Sequence, residues 1–258
     1  MSSTSEIGHE KNVANFEDLI SRCVGFGTAY NPSLNAIKIA NMNTLKTSAS
    51  TALTTATSNF NLLKNASNNR EIVFLPVKKL STRIMAALKS CGATMQTIND
   101  ALTYNRKIQG KRATPIKEVP NLEESRTAEN PIPIDPNVVI HISSSQQSYD
   151  SKIEFFAKLV DLLGTIPSYA PNEADLKIAS LNTLLASMKT SNTSVISATT
   201  AFKLAMINRN AILYKPVTGL VDIAKECKNY VKSVYGATSR SYKLVSAIKF
   251  TQRKGILI

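Results

Sequence analysis

Apolar side chains recur at helical spacing along most of the chain, and Gly, Pro, Asn and Ser residues interrupt them at intervals. The first stripe predicts a helix from about Val13 to Gly25, with an apolar face formed by Phe16, Leu19, Ile20, Cys23 and Val24. Residues 1–12 precede this stripe, carry mostly polar side chains and are expected to be disordered.

The second helical segment follows a turn at residues 30–33. Nine of the fifteen residues from Thr44 to Ser58 are Ser or Thr, which form helices poorly in isolation. This composition favours a break or bend near Ser48 or Ser50. The apolar spacing also fits one long bent helix.

The next two helices have clear start and stop signals. Pro76 cannot lie inside a helix without a kink, so it is predicted to begin the third helix. That helix stops at Gly92, and its apolar face consists of Val77, Leu80, Ile84, Ala87 and Leu88. Thr94 is predicted to cap a last helix, which runs through Met95, Ile98, Leu102 and Tyr104.

One stretch of sixteen residues occurs twice. Residues 30–45 and 169–184, which lie 139 positions apart, share eight identical residues, and this indicates an internal duplication. The alignment extends to both sides and pairs Phe16 with Phe155, Ile20 with Leu159, Cys23 with Leu162, Pro76-Val77 with Pro216-Val217 and Gly92-Ala93-Thr94 with Gly236-Ala237-Thr238. The distance from that proline to that glycine is four residues longer in the second copy, which predicts a helix longer by about one turn.

The repeats predict an all-α fold of two tandem, internally duplicated antiparallel helical bundles joined by a Pro-rich linker. The expected boundaries are a disordered N-terminus (1–12), a first bundle (13–109), a linker (110–147) and a second bundle with a basic C-terminal tail (148–258). Proteolysis in the linker is expected to leave two folded fragments. Residues 138–142 fit either one short strand or a segment docked on a bundle.

Each copy contains a Tyr-x-Pro turn and a Gly-Ala-Thr loop, at Tyr30 and Gly92 and at Tyr169 and Gly236. With these motifs the chain resembles uncharacterised bacterial proteins built from two tandem helical-bundle repeats. The resemblance covers most of the chain outside the linker. It implies an all-helical fold and supplies no activity.

Basic residues are concentrated in the back half of each copy. The formal net charge is +13, and residues 70–112 and 215–254 each contain nine Lys or Arg against two acidic residues. A surface of one sign repels itself and is stabilised by a polyanion, so the sequence predicts a protein that binds DNA or RNA. The predicted contacts are Arg70, Lys78, Lys79, Arg83, Arg106, Lys107, Lys111, Arg112, Arg209, Lys225, Lys228, Lys232, Arg240, Lys243, Lys249, Arg253 and Lys254.

Several tyrosines and arginines of the basic segments could have a structural role instead of contacting nucleic acid. Tyr230, Tyr235 and Tyr242 could stack on unpaired bases, but positions in the core or at its rim are favoured. Arg70 and Arg209 recur in both copies, and a buried structural role is favoured over phosphate binding. The alternative function is a structural or scaffolding protein whose bundles bind protein partners or self-associate, with the charge serving solubility.

No catalytic or cofactor motif is present. His9 lies in the polar N-terminus and His141 in the linker, so no His-bearing triad, zinc site or di-iron site is expected in either copy. The glycine patterns that bind phosphates and dinucleotides are missing. We therefore expect no enzyme activity, no metal, no cofactor and no small-molecule substrate.

The cysteines and the lengths of the apolar runs indicate the cellular compartment of the protein. Cys23, Cys91 and Cys227 are odd in number and far apart in sequence, which favours small core residues in a reducing compartment. The sequence has neither a signal-peptide pattern nor an apolar run of membrane-spanning length. We therefore expect a cytoplasmic protein without membrane contact.

Overall fold

A computed structural model describes residues 5–111 and 147–252, and its regular secondary structure over those residues is entirely helical. The α-helices are α1 (Ser5–Gly25), α2 (Ile39–Phe74), α3 (Val77–Ser90), α4 (Met95–Gln109), α5 (Tyr149–Gly164), α6 (Ile178–Tyr214), α7 (Leu220–Tyr235) and α8 (Arg240–Ser246). Short 3₁₀ turns span Gly27–Ala29, Asn35–Ile37 and Ala174–Leu176. The predicted all-α class is confirmed.

Helix α2 is one continuous helix of 36 residues, so the predicted break near Ser48 or Ser50 is wrong. Hydroxyl groups along it donate to the carbonyl four residues earlier, from Thr44 to Ala40, Thr47 to Asn43, Ser48 to Thr44, Thr54 to Ser50 and Thr55 to Thr51. These bonds satisfy the hydroxyls without leaving the helix. Ala49, Ala52 and Ala56 are buried, so packing stabilises a segment of low helix propensity.

Helix α1 begins at Ser5, so the predicted disorder of residues 5–12 is wrong; residues 1–4 lie outside the described residues. His9 and Asn12 are buried, and both contact the hydroxyl of Tyr214: His9 Nδ1 lies 2.7 Å from it, and Asn12 Nδ2 donates to it at 3.3 Å. Asn12 also exchanges two hydrogen bonds of 2.9 Å with the backbone of Thr251. These partners are more than 200 positions away in the chain, beyond the reach of any local pattern.

The predicted signals for α3, α4 and α5 are confirmed. Pro76 immediately precedes α3, and the Thr94 hydroxyl caps α4 by accepting from the Thr97 N–H at 3.2 Å. Helix α5 spans Tyr149–Gly164, as predicted. Two members of the predicted apolar faces, Val24 and Met95, are instead exposed.

Three of the four extra residues of the second copy lie before α7, and the fourth lies at its C-terminal end, so α7 (16 residues) is longer than α3 (14 residues) by less than the predicted turn. Helix α7 begins at Leu220, so the predicted match of Val217 with Val77 is wrong. Gly219 occupies the place of Pro76, and the buried residues Leu220, Ile223, Cys227 and Val231 correspond to Val77, Leu80, Ile84 and Leu88. A Cβ on Gly219 would lie 2.6 Å from the Lys215 carbonyl oxygen, so this tight turn requires glycine. The cap of α8 is Ser239, one residue after Thr238, which the alignment pairs with the cap residue Thr94.

Helices α1 and α5 also align differently from the prediction. The fully or nearly buried residues are Phe16, Leu19, Ile20 and Cys23 in α1 and Phe156, Leu159, Val160 and Leu163 in α5. These sets lie 140 positions apart, so the predicted pairing of Phe16 with Phe155 and of Cys23 with Leu162 is wrong by one residue. The segment between Cys23 and Tyr30 contains one residue more than the segment between Leu163 and Tyr169.

The described residues form two compact units, which differ from the predicted domains 13–109 and 148–258. Unit 1 combines the residues up to Ala66 with those from Val195 onward, and unit 2 runs from Ser67 to Ser194. In unit 1, α1 packs on α7 and α8; in unit 2, α5 packs on α4. Each unit therefore joins the front half of one sequence copy to the back half of the other. Since both copies carry the same apolar pattern, either pairing was compatible with the sequence.

Each unit has its own apolar core. The core of unit 1 centres on Phe16, Leu19, Met42, Leu213, Leu220 and Val231, and that of unit 2 on Ile84, Leu88, Ile108, Phe156, Leu181 and Met188. Among the helices described, none is both long enough and apolar enough to cross a membrane. Most of the predicted linker lies outside the described residues, together with residues 138–142 and His141.

Candidate functional site

Four lysines lie on the helix ends that meet at one end of unit 2, where α3 and α5 begin and α4 ends. These residues, Lys78, Lys107, Lys111 and Lys152, form what we term the lysine cluster. Gln109 donates to the carbonyl oxygen of Lys78 at 2.6 Å and so joins the end of α4 to the start of α3. Gln147 donates to the carbonyl oxygen of Lys107 at 2.7 Å and brings the start of α5 to the same place.

Two members of the lysine cluster, Lys78 and Lys152, carry like charges that lie near each other. Burial and the nearby charge of Lys78 lower the pKa of Lys152, which means that two ammonium groups lie close enough to repel. Within residues 5–111 and 147–252, none of the four lysines forms an ion pair. Three of them belong to the predicted set. Lys152 does not, because the sequence around it is nearly neutral and gives no signal.

The predicted cations of unit 1 lie on α7, on α8 and just after α8. Lys232, Arg240, Lys243 and Lys249 are exposed and have no carboxylate partner among the residues that the structure describes. Lys228 is half-buried and donates to the carbonyl oxygen of Ile248. Burial and the charge of Lys249 lower the pKa of Lys228, as Lys78 does for Lys152.

Other predicted contacts are occupied by partners within the protein. Arg83 binds Asp175 through two hydrogen bonds, Lys225 binds Asp222 at 2.7 Å, and Arg106 donates to Thr103 at 3.1 Å. Lys79 is exposed and has no such partner among the described residues. Arg112, Arg253 and Lys254 lie outside the described residues.

Arg70 and Arg209 both contribute to packing within a unit. Arg70 donates to Asn192 at 3.0 Å, and its guanidinium carbon lies 3.8 Å from the centre of the Tyr149 ring. Arg209 is only 4% exposed and donates twice to the side-chain oxygen of Asn210, at 3.1 and 3.2 Å. Both guanidinium groups therefore have partners within their own unit, and that of Arg209 is also buried.

The tyrosines among the basic residues pack against the core of unit 1. The Tyr230 hydroxyl accepts from the backbone N–H of Asn31 at 3.0 Å, and its ring meets the Tyr30 ring edge-on at 5.2 Å. The Tyr235 ring lies 5.1 Å from that of Phe26, and Tyr242 is partly buried against the same core. This arrangement agrees with the interpretation favoured from the sequence over base stacking.

Each unit contains a groove, and the two grooves lie at corresponding positions. The unit 1 groove lies beside the starts of α2 and α7, and the unit 2 groove lies beside the starts of α6 and α3. The unit 1 groove has a volume of about 620 Å³, and its lining includes Leu34, Ala36, Asn41, Leu45, Ile223 and Glu226. The unit 2 groove has a volume of about 340 Å³, and its lining includes Asp175, Ser180, Leu184, Leu80 and Arg83. Ala36 corresponds to Asp175 and Glu226 to Arg83.

An ion pair explains the difference between the two grooves. In unit 2, Arg83 reaches across the groove to Asp175, and the arginine lowers the pKa of that carboxyl group. In unit 1 the same two positions hold Glu226 and Ala36, which cannot pair. Glu226 is exposed and has no hydrogen bond or ion pair with any described residue. The unit 1 groove is larger than the unit 2 groove and contains one carboxylate, that of Glu226, without an ion pair among the described residues.

The backbone at the rim of the unit 1 groove is strained. Val217 has φ of 68°, and the residue is 77% exposed. A β-branched residue in the left-handed region costs about 1–2 kcal/mol. The Val217 N–H donates to a carboxylate oxygen of Asp222 at 3.1 Å, which holds this conformation in place.

Two cysteines that are distant in sequence meet in the core of unit 1. The Sγ atoms of Cys23 and Cys227 lie 3.3 Å apart, and the Tyr30 hydroxyl lies 3.3 Å from the sulfur of Cys227. Both cysteines are completely buried. The expectation that they are small core residues is compatible with this position, but the sequence separation of 204 residues gave no sign that they are neighbours.

Comparisons with known proteins do not assign the chain. No protein-family model matches it, and no curated protein and no solved structure matches it. Within the part of the chain that is described, no group of three or more His, Cys, Asp or Glu side chains could hold a metal ion. The resemblance to tandem helical-bundle proteins stays a prediction.

Proposed function

We propose that the protein is a non-enzymatic nucleic-acid-binding protein, and that the lysine cluster of unit 2 is its main contact with the phosphate backbone. The observation that carries this proposal is the position of four lysines on three helix ends that meet, where none of them forms an ion pair with a described residue. Ammonium groups that lie close together raise the local electrostatic potential. Binding of a polyanion would neutralise their charge and release the counterions condensed on the polyanion.

The proposed contact set is narrower than the one predicted from the sequence. It keeps Lys78, Lys107 and Lys111 and adds Lys152, whose ammonium lies close to that of Lys78. It leaves out Arg70, Arg83, Arg209 and Lys225, because their charged groups already have partners within their own unit. The exposed cations of unit 1, Lys232, Arg240, Lys243 and Lys249, provide secondary contacts.

Salt dependence of binding tests this proposal. If the four lysines each neutralise one phosphate of duplex DNA, log K should fall against log salt with a slope of about −3.5. The double substitution Lys78→Ala with Lys152→Ala should make the slope shallower by about two units, because it removes two of these contacts. The slope is measured by fluorescence anisotropy with labelled duplex DNA, single-stranded DNA and structured RNA.

A matched control uses two lysines that already have carboxylate partners. Lys46 pairs with Glu17 at 2.9 Å and Lys158 with Glu154 at 2.6 Å. The double substitution Lys46→Ala with Lys158→Ala removes the same two charges and should leave the slope unchanged. An equal effect of both double variants would show that only net charge matters. Absence of salt-dependent binding to all three nucleic acids at low ionic strength would overturn the proposal.

We also propose that the chain arose by internal duplication and that the two copies exchange halves. Tyr30 donates to the Ile37 carbonyl and Tyr169 to the Leu176 carbonyl, so the turn in each copy has the same bond over the same spacing. The buried residues of α1 and α5, and those of α3 and α7, support the same relation. Under this proposal the unit 1 groove and the unit 2 groove descend from one groove of the ancestral repeat.

The unit 1 groove supports a second candidate function, the docking of a protein partner. Its volume of about 620 Å³ and its apolar lining are typical of a binding site. Glu226 adds one uncompensated carboxylate. The fitting partner is a peptide segment that presents one basic side chain between aliphatic side chains, since the base would pair with Glu226 in the space that the Asp175 carboxylate fills in unit 2.

Copying the unit 2 ion pair into unit 1 tests this candidate. The substitution Ala36→Asp with Glu226→Arg recreates the residues Asp175 and Arg83 and should close the groove. A labelled peptide of alternating leucine and lysine should bind the native protein and lose at least tenfold in affinity for the closed variant. The matched peptide with glutamate in place of lysine should not bind. Equal affinity for both proteins, or for both peptides, would refute the docking function and leave the nucleic-acid proposal unaffected.

A further inference from the structure

The buried thiols of Cys23 and Cys227 have a defined arrangement around Tyr30. The Tyr30 hydroxyl donates its hydrogen to the Ile37 carbonyl oxygen at 2.7 Å. With that hydrogen used, the Tyr30 oxygen can only accept from the thiol of Cys227, which lies 3.3 Å away. The sulfur of Cys227 is then the acceptor for the thiol of Cys23, also at 3.3 Å. The two sulfur atoms therefore face each other directly.

The corresponding places in unit 2 show that the core does not require cysteine there. By burial pattern, Cys23 corresponds to Leu163 and Cys227 to Ile84, and all four residues are completely buried. Unit 2 thus fills the same positions with aliphatic side chains. If these positions only had to fill space in the core, aliphatic side chains would do so in unit 1 as well. The two facing thiols therefore indicate a chemical role.

We propose that Cys23 and Cys227 are a site of oxidative modification, where a disulfide bond joins α1 to α7 within unit 1. The sulfur atoms need to approach by roughly 1.3 Å to reach the disulfide bond length of about 2.05 Å. Rotation of both side chains supplies a movement of that size. The link would connect residues 204 positions apart.

The oxidant is a small peroxide, with hydrogen peroxide as the simplest case. The thiolate of Cys227 attacks one peroxide oxygen, breaks the O–O bond and becomes a sulfenic acid, while the other oxygen leaves as water. The sulfur of Cys23 then attacks the sulfenic sulfur, forms the S–S bond and releases a second water. Two thiols and one peroxide thus give one disulfide and two waters, with two electrons passing from sulfur to oxygen.

The hydrogen bonds of the pair support this order of events. The hydrogen bond that Cys23 donates lowers the pKa of Cys227 and makes Cys227 the sulfur that ionises first. The hydrogen bond to Cys227, together with burial, raises the pKa of Cys23. Since both thiols are completely buried, peroxide reaches them only during local opening of unit 1. The same burial protects the finished disulfide from reductants.

The experiment treats the full-length Cys91→Ser variant with hydrogen peroxide. This background removes the third thiol, which is only half-buried and has no cysteine partner among the described residues. We expect the intact mass to fall by two hydrogen atoms and a non-reduced digest to contain the Cys23 and Cys227 peptides joined together. The melting temperature should rise by about 5 °C or more and return on reduction, because the link constrains a long loop of the unfolded chain.

Two outcomes would overturn the proposal. One is that both thiols are still alkylated after denaturation of the peroxide-treated protein. The other is that oxidation adds oxygen to one cysteine without joining the peptides. The variant with the unit 2 residues, Cys23→Leu with Cys227→Ile, serves as the control and should show no change in mass or melting temperature with peroxide. If this variant does not fold, the peptide map of the Cys91→Ser protein decides by itself.

Discussion

Tyr30 and Tyr169 occupy corresponding places in the two units, and each hydroxyl donates to a carbonyl seven residues later, at 2.7 Å to Ile37 and at 3.1 Å to Leu176. Replacement by phenylalanine leaves a carbonyl without a donor, so each substitution should lower the free energy of unfolding by about 1–2 kcal/mol. Tyr30→Phe should cost more than Tyr169→Phe, because it also removes the acceptor of the Cys227 thiol. Urea denaturation gives both values.

Tyr235→Phe is the control for these substitutions. Its ring packs on Phe26, but no described residue bonds its hydroxyl, so the change should be within about 0.5 kcal/mol. A Tyr30→Phe protein as stable as the native one would show that the turn does not depend on this bond.

The same tyrosines predict a loss of stability in alkali. Burial is the main cause that raises the pKa of Tyr169 to about 12, and burial likewise raises the pKa of Tyr30. In the unfolded chain a tyrosine titrates near pH 10. A pKa that is higher in the folded state contributes stability below pH 10, and this contribution is lost as the pH rises from about 10 to 12.

Parallel titrations check this prediction. The absorbance of ionised tyrosine should show that two tyrosines ionise above pH 10. The helical circular dichroism should be lost over the same pH range. The free energy of unfolding of Tyr169→Phe should fall less steeply between pH 10 and 12 than that of the native protein. Ionisation of all eight tyrosines near pH 10 with the helices intact would contradict the burial argument.

At the scale of elements, the Ser- and Thr-rich part of α2 tests whether the helix is continuous. Ser50 is exposed in the middle of α2, and its carbonyl accepts from the Thr54 hydroxyl at 3.1 Å. Ser50→Pro should cost about 3 kcal/mol or more, because proline removes a backbone donor and clashes with the preceding turn. A break at this place would tolerate the proline, so a change below about 1 kcal/mol would contradict the continuous helix.

Ser50→Ala is the matched control for the proline. Alanine keeps the backbone donor and has the higher helix propensity, so it should be neutral or stabilise by up to about 0.5 kcal/mol. Chemical denaturation followed by circular dichroism measures both variants. The comparison separates the effect of the backbone from that of the lost hydroxyl.

At the scale of the whole molecule, the two compact units predict the result of cutting the chain between 112 and 146. Each fragment then holds one part of unit 1 and one part of unit 2. Core residues of the first fragment, such as Phe16 and Leu19, share the core of unit 1 with Leu220 and Val231 of the second. The cut protein should therefore remain one species, whereas the sequence repeats predict two separately folded fragments.

A protease site inserted in this segment makes the experiment possible. After cleavage, size-exclusion chromatography should give one peak of unchanged volume that contains both fragments, and they should separate only in denaturant. The uncut protein with the same insertion is the control. Two independent folded fragments after cleavage would mean that each sequence copy forms its own bundle.

Much of the local structure follows from the sequence alone. Pro76, Thr94 and the start of α5 at Tyr149 are predicted correctly, because caps and proline act on backbone groups within a few residues of themselves. The all-α class follows from apolar spacing for the same reason. The break expected in α2 fails because propensity is a weak term, which the burial of Ala49 and Ala56 outweighs.

Three features were decided only by the tertiary structure: the pairing of halves, the meeting of Cys23 with Cys227, and the place of Lys152 beside Lys78. The physical reason is common to all three. Two similar copies present nearly the same apolar faces, so local patterns define each face but not the face it packs against. That choice depends on the sum of many contacts between residues distant in the chain, and it determines which thiols and which charges become neighbours.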